Sequence, residues 1–500
     1  MRDLVFSVIA LATWACASSI TIRKATLPAG VRGATPPSIR LVTGDTIIKN
    51  DQEQGYFADV QVGGQNFSLA LDTGSSDSWI APRPEINYNN TFSNARIFND
   101  LYLNLTYGSG SVEGYVAQTD NVGFAGYTVN NQTLLYVTKQ DLIFNETEAQ
   151  DPAFGGIVGT GFDTISQILN AVASATNETW GRTILSNIFL ANPTLPNHIA
   201  IFLDRLGYLN DTGNGTFDIG TYASGFELVA AQPKHPVFTG YAEGTFQWNL
   251  LLSDLKINGQ SQKLKTELVS NDETHLVNIP PEGSISVLLD TGSTLGQLPT
   301  AAWKALYEGM GGVLVKNQSY TEGALLYAVP CMAEARLELG FNNQSILVHP
   351  LDLTNLTVVT LPDGSNLTAC ISYFENGSWY GNDNDLVLGD AFLRNAYAVY
   401  DFGKLTNTLS GVAGDPFIQL LPLTNESKAS AEFKEARAKA LSFFPPEINV
   451  STINDPVPQA LGQPSSGSGS SNGGTVSVDL FKFLPLYAAI FVVFLSAIIQ

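Results

Sequence analysis

Two stretches of the chain nearly copy one another: SLALDTGSS at residues 68–76 and SVLLDTGST at residues 286–294. Each is an apolar run that enters Asp-Thr-Gly-Ser. A short apolar run bounded by turn residues reads as a buried strand, and Asp-Thr-Gly as the tight turn at its end. Each copy also has a later echo, GGIVG at 155–159 and LVLGD at 386–390. A chain that repeats a strand, a turn and a follow-up segment in this way predicts two lobes related by an approximate two-fold axis. That axis would bring the two turns face to face. A third copy, Asp211-Thr212-Gly213, is a control. It follows Leu209-Asn210 rather than an apolar strand and lies between IAIFL and TFDIG, so it reads as a hairpin turn.

The chain between residues 41 and 418 consists of short apolar or alternating runs broken by Gly, Asn, Asp and Pro. Tyr56–Val62, Asn66–Leu71, Ile199–Leu203, Thr245–Leu252 and Ser286–Leu289 are predicted strands, so the fold class is mainly β. Ile165–Val172, Ala301–Met310 and Glu426–Phe443 are predicted helices, the last ended by Pro445-Pro446. With 44% hydrophobic and only 14% charged residues, a sizeable core is available and wholesale disorder is excluded. The formal charge of −21 excludes a general nucleic-acid binder, which would repel its ligand. Such acidity fits solubility, or a working life at low pH where carboxylates lose their charge.

The two ends predict a location. Residues 1–17 carry Arg2, an apolar stretch from Leu4 to Ala15 and the small-x-small pattern Ala15-Cys16-Ala17, the features of a cleaved secretory signal. Of the three cysteines, cleavage removes Cys16 and leaves Cys331 and Cys370, expected to pair in an oxidising compartment. About fifteen N-x-[ST] sequons support that route. Their asparagines are Asn66, Asn89, Asn104, Asn131, Asn145, Asn177, Asn210, Asn214, Asn317, Asn343, Asn355, Asn366, Asn376, Asn425 and Asn449. At the other end, SSGSGSSNGG at 465–474 is followed by a polar spacer and an apolar tail. This is the pattern of a glycosylphosphatidylinositol signal, in which Asn472-Gly473-Gly474 suits the attachment residue and its two followers, though neighbouring Ser and Gly would also serve. A single transmembrane helix is the competing reading. The shortness of the apolar run and the absence of a basic flank after it weigh against that.

Two carboxylates sharing one site cannot both ionise, because like charges a few ångströms apart repel. One then holds a proton while the other is charged. The charged partner can take a proton from a water, and the protonated one can donate to a peptide carbonyl as a tetrahedral adduct forms. Asp72 and Asp290 are the candidate pair, and this chemistry needs no metal and no cofactor. Gly74 and Gly292 permit close backbone approach. Thr73, Ser75, Thr291 and Ser293 are expected to hold the carboxylates in plane by hydrogen bonds.

With these residues in hand, the chain from about residue 50 to 415 resembles the pepsin-like aspartic proteases, most closely the fungal cell-surface yapsins and candidapepsins. The resemblance implies a bilobal β fold with a cleft, and Asp72 and Asp290 as catalytic residues. It places Tyr107 and Gly108, in LTYGSGSVEG, in a flap over the cleft, with Trp79 bonded to Tyr107. It makes IVG (157–159) and VLGD (387–390) the segments threading the active-site loops. It also implies the Cys331–Cys370 disulfide, peptide substrates and a monomer. Three features depart from the pattern: there is no disulfide after the first motif, Ser78 stands where an apolar residue is usual, and the stretch before the first strand is short. The implied organisation is a signal at 1–17, a short extension at 18–45, an N-terminal lobe at 46–225 and a C-terminal lobe at 226–418. A helical then Ser/Gly-rich tail follows at 419–474, with an anchor signal at 475–500. Glu148, in the acidic stretch NETEAQD before FGGIVG, is the candidate for a preference for Lys or Arg before the cut bond. The alternative function is a catalytically silent pepsin-like binding or cell-wall glycoprotein, whose mark would be loss of an Asp, a Gly or the flap Tyr. A carboxylate-pair glycosidase has no support from the symmetric duplication.

Overall fold

The computed structural model describes residues 45–50, 55–81, 88–108, 110–142, 155–205, 214–240, 246–269, 278–316, 325–360, 365–377, 384–406 and 414–452. The predicted strands and helices form, with adjusted ends. The helix expected at Ile165–Val172 runs Gln167–Thr176, because Ser166 caps its start and Asn177, at φ 56°, ends it in the left-handed conformation. The strand expected from Thr245 begins at Asn249, whose N–H bonds Gln247 O at 2.7 Å in a tight turn. The helix expected at Ala301–Met310 is Thr300–Gly309.

The molecule is mainly β, and its described residues form one large sheet and three smaller ones. The large sheet joins the two halves of the chain. His198–Phe202 pairs antiparallel with Asn214–Ile219 on one side and with Ala396–Asp401, from the second half, on the other. Phe417–Pro422 continues the sheet beyond Ala396–Asp401. In the other direction the sheet passes through Asp45–Asn50 and Tyr56–Val62 to Gln65–Asp72, the strand that carries the first motif. Its far end is a long hairpin, Arg96–Tyr107 with Gly110–Thr119, which pairs in turn with Gln132–Leu142. Apolar side chains from both halves meet in one core. Trp248 is fully buried at this junction, its ring 4.1 Å from Phe162 and 4.8 Å from Phe402 between centroids.

The internal repeat of the sequence is a repeat of topology. In the first half, Gly156–Gly159 runs parallel to Gln65–Asp72 and antiparallel to Trp79–Ile80. In the second, Leu386–Leu388 runs parallel to Ile285–Leu289 and antiparallel to Gly296–Leu298. Thus each motif strand ends in its Asp-Thr-Gly turn, loops back, and encloses the later apolar segment between its outgoing and returning strands. Gly156–Gly159, Ile285–Leu289 and Leu386–Leu388 are buried along their whole length, as is Gln65–Asp72 from Leu69 onward, which is why these stretches read as unbroken apolar runs rather than alternating ones. The third Asp-Thr-Gly lies outside the described residues, between the antiparallel strands His198–Phe202 and Asn214–Ile219.

Cys331 and Cys370 form the expected disulfide. The helix Glu426–Leu441 packs on the second half through Phe433 and Ala436 against Leu351. Its Arg437 is buried and donates to Thr354 O and Oγ1 at 3.0 and 3.1 Å. The chain beyond the helix then pairs with Thr368, which accepts from Ile448 N–H and donates to Pro446 O, both at 2.8 Å. Residue 418, the lobe end expected from the sequence, lies within the strand Phe417–Pro422. Among the described residues no helix is long and apolar enough to cross a membrane, and no group of three His, Cys, Asp or Glu side chains could hold a metal ion.

Candidate active site

Asp72 is the last residue of its strand, and Asp290 directly follows Ile285–Leu289. The turns after them are locked together by a reciprocal set of bonds. Thr73 Oγ1 donates to Leu289 O at 2.9 Å and accepts from Thr291 N–H at 3.0 Å. Thr291 Oγ1 donates to Leu71 O at 2.7 Å and accepts from Thr73 N–H at 3.1 Å. Each hydroxyl thereby holds the strand end of the other half. The threonines do not clamp the carboxylates, as the sequence reading had them do. They fix the backbones from which the carboxylates project.

The two carboxylates face each other at hydrogen-bonding range of a shared donor. The Gly74 N–H bonds Asp72 Oδ1 at 2.8 Å and Asp290 Oδ1 at 3.1 Å. The Gly292 N–H bonds Asp290 Oδ1 at 2.8 Å. A Cβ on Gly74 would sit 2.6 Å from Asp290 Cγ, and one on Gly292 2.6 Å from Asp72 Oδ1. Any side chain at either position would displace the opposing carboxylate. The serines break the symmetry. Ser75 donates through its hydroxyl to Asp72 Oδ2 and through its N–H to Oδ1, whereas Ser293 Oγ donates to Leu295 O at 3.2 Å, away from Asp290. The expectation that Ser293 would brace Asp290 as Ser75 braces Asp72 is therefore corrected. The bend after Gly292 turns the Ser293 hydroxyl to Leu295 O, just ahead of the strand Gly296–Leu298.

Burial pushes both carboxyls above the ordinary carboxylate range. Asp72 is restrained by the Ser75 hydroxyl and by the N–H groups of Gly74 and Ser75. Asp290 has fewer donors, lies beside the negative Asp72, and is raised well above. The pair thus titrates as one unit that shares a proton, with the donors around Asp72 biasing the charge toward it.

Tyr107 ends the outer strand of the long hairpin and Gly108 follows it at the turn. Trp79 Nε1 donates to Tyr107 Oη at 2.8 Å, which leaves the phenol proton free to be given elsewhere. Burial, then Asp77 and Asp72, hold that phenol well above its ordinary pKa, so it stays a donor. The sequence reading missed the buried Asp77, although its position in SSDSW, ahead of Trp79, was visible. Asp77 accepts from Ser166 Oγ at 2.6 Å and from the N–H groups of Gln167 and Ile168. Burial pushes its carboxyl up to about 6, with Asp163 contributing.

Glu148 and Asn472 lie outside the described residues, as do Asn145, Asn210 and Asn317. Of the sequon asparagines, Asn66, Asn104, Asn131, Asn177, Asn343, Asn366, Asn425 and Asn449 are exposed. Asn355 is half-buried, and so is Asn376, whose Oδ1 accepts from Thr300 Oγ1 at 2.7 Å. Asn89 and Asn214 fall in a short helix and at the start of a strand.

Residues 55–193 and 233–412 match the family profile described as eukaryotic aspartyl protease. An aspartic protease of Phaffia rhodozyma is 25% identical over 373 residues, covering 72% of this chain and 78% of that protein. Rhizopuspepsin of Rhizopus chinensis is 26% identical over 365 residues, 71% of this chain and 77% of that protein. A probable vacuolar protease A of Trichophyton verrucosum is 26% identical over 386 residues, 72% of this chain and 80% of that protein. The chain belongs to the pepsin-like aspartic protease family, and it is an aspartic-type endopeptidase.

The titrating groups set the stability window. Asp72, Asp77, Asp290, Asp385 and Asp401 are all raised, chiefly by burial. A raised carboxyl binds its proton more tightly in the folded than in the unfolded chain. The stability it contributes is complete below the unfolded value of about 4 and is lost as pH rises through the folded value. His349 acts in the opposite sense. Burial lowers it to about 4, so its contribution is present above the unfolded value and is lost as pH falls from 6.5 toward 4. Burial lowers His198 too, and it acts in the same sense, but the five raised carboxyls outnumber the two histidines. The melting temperature is therefore expected to fall between pH 5 and pH 7, with Asp77 alone losing about 1.3 kcal/mol across that interval, out of the roughly 3 kcal/mol it contributes well below pH 4. Calorimetry across that range checks it, and a melting temperature that rises toward pH 7 would contradict the assignment.

Proposed function

We propose that the chain is an acid endopeptidase whose reacting pair is Asp72 and Asp290, working on extended polypeptides under a flap that carries Tyr107. The observation that carries this reading is the Gly74 N–H shared between the two buried carboxylates. A water between them would lose a proton to Asp72, the charged partner. Asp290, the protonated partner, would donate to the substrate carbonyl oxygen as the tetrahedral adduct forms. The adduct would collapse with expulsion of the amine, which takes a proton back from Asp72, while one of the adduct's hydroxyls returns its proton to Asp290 and becomes the carbonyl of the new carboxyl group, and no covalent enzyme intermediate is involved. Asp290 Oδ2 is buried without a hydrogen-bond partner among the described residues, which suits it to this exchange. Tyr107, whose own proton is not given to Trp79, would donate to the substrate and close the cleft to bulk water. The intact aspartates, glycines and flap tyrosine weigh against the silent binding glycoprotein. Asp72→Asn or Asp290→Asn is expected to lower cleavage of a denatured protein at pH 4 by at least a thousandfold with secretion unchanged, while Asp211→Asn stays at wild-type rate. Either dyad variant retaining full, pepstatin-sensitive activity would sink the mechanism.

The same reading places the enzyme in the secretory pathway and on the outer face of the cell, as a monomeric glycoprotein held by a lipid. Its support is the N-terminal signal pattern, the disulfide, the exposed sequons and the small-residue, spacer and apolar-tail sequence around Asn472. A phospholipase specific for glycosylphosphatidylinositol is expected to release the protein from membranes. Recovery of residues 483–499 in the mature chain by mass spectrometry would replace the lipid with a transmembrane helix.

For specificity, Glu148 in its acidic stretch would favour Lys or Arg before the cut bond by roughly tenfold or more, the scale of a charge-assisted hydrogen bond. A peptide library profiled at pH 4–6 should show that preference and its loss in Glu148→Gln. Equal or better cleavage after Phe and Leu rejects the role.

A further inference from the structure

The helix Gln167–Thr176 starts on a carboxylate that belongs to the motif loop. Asp77 is buried, and its Oδ1 accepts from Ser166 Oγ at 2.6 Å and from Ile168 N–H at 3.3 Å, while its Oδ2 accepts from Gln167 N–H at 2.8 Å. Ser166 is the N-cap and accepts in turn from Leu169 N–H at 3.0 Å. The first N–H groups of the helix, which have no intrahelical acceptor, are thus satisfied by two side chains. The positive end of the helix faces the carboxylate.

Asp77 stands in the loop between Asp72 and Trp79, and that loop is laced to residues 160–162. Thr160 N–H bonds Asp72 O at 2.7 Å, Gly161 N–H bonds Ser75 O at 2.8 Å, and Ser76 Oγ donates to Phe162 O at 2.7 Å. The apolar face of the helix, Ile168 and Val172, packs in one cluster with Trp79, Leu105 and Tyr107. Phe98, near the base of the hairpin's outer strand, stacks on Trp180 just past the helix, with centroids 4.4 Å apart. The hairpin therefore rests on the helix, and the helix is pinned at its start by Asp77.

We propose that Asp77 is a positioning residue for the flap, holding the helix Gln167–Thr176 against the loop of Asp72 so that Tyr107 stands at working height over the dyad. This rests on the reading of Asp72 and Asp290 as the reacting pair. Every contact made to Asp77 is a donor. A proton on its carboxyl is accommodated if the Ser166 hydroxyl reverses and accepts it, which keeps that contact but replaces the charged acceptor at the helix start by a neutral one and so weakens the pin. The groups bearing on it are Asp163, itself paired with Arg182, and Tyr107, whose phenol feels the Asp77 charge. Its carboxyl changes state near pH 6, so the pin and the pH response of the flap are one contact.

The test is steady-state cleavage of a chromogenic peptide from pH 3 to 7 by the full chain carrying Asp77→Ala, Asp77→Asn, Tyr107→Phe and each Asp77 change combined with Tyr107→Phe. Asp77→Ala is expected to lower kcat/KM about tenfold, and to add less than about twofold when Tyr107 is already Phe, because residues that act through one packed unit couple. Asp77→Asn keeps one acceptor oxygen and is expected to lose less activity and to flatten the profile near pH 6. Losses that multiply in the double variants overturn the proposal, as does an Asp77→Ala enzyme with wild-type kcat/KM and only a lower melting temperature. If Asp77→Ala fails to fold, the Asp77→Asn pair decides by the same criterion. Failure of the dyad reading is seen separately, as activity surviving Asp72→Asn or Asp290→Asn.

Discussion

The reciprocal bonds between Thr73 and Thr291 are the constraint on which the site depends. Each hydroxyl accepts from the other threonine's N–H and donates to a carbonyl at the opposite strand end. Four bonds in a fully buried setting leave neither turn free to slide, and losing one partner strands a buried polar group at a cost of about 1–3 kcal/mol. The bonds also set the spacing that makes the glycines obligatory. With the turns drawn this close, the space where a Cβ would stand is filled by the opposing aspartate. Rigidity, proximity and the raised carboxyls therefore have one origin, two strand ends tied to each other inside the core.

The asymmetry of the pair follows from smaller differences. Both halves present the same turn, yet only Ser75 reaches its aspartate, while Ser293 turns to Leu295 O. Among the described residues, the hairpin that ends in Tyr107 belongs to the first half. Two nearly identical motifs thus yield one carboxylate rich in donors and one poor in them, and a shared proton goes to the poorer.

Much of this was legible in the sequence. The duplicated SLALDTGSS and SVLLDTGST gave away the two-fold architecture, and GGIVG and LVLGD the enclosed strands, because strands buried on both faces are continuous apolar runs. The disulfide partners followed from removing Cys16. Less legible was where the threonine hydroxyls point, since Thr73 has acceptors both within its own turn and across the axis, and only the packed pair selects between them. Asp77 was hidden for a different reason. Its partners, Ser166 to Ile168, lie some ninety residues away in sequence, and no local pattern joins an Asp before a tryptophan to the start of a distant helix. The helix Glu426–Leu441 was visible from its composition, but its docking was not: the buried Arg437 looks like any surface arginine until Thr354 is beside it.

The last described segment touches both halves of the disulfide. Glu447 accepts from Cys331 N–H at 2.7 Å, and Arg437 Nη1 lies 3.5 Å from Cys370 Sγ. Glu447 also bridges alongside Thr368, two residues before Cys370. Tension applied to the chain beyond residue 452 therefore enters the lobe at a covalent cross-link. The strand Phe417–Pro422, which helps join the two halves, is separated from that load by a docked helix. A tether pulled from this end would strain the outer clip first, leaving the paired turns under the cleft mechanically quiet.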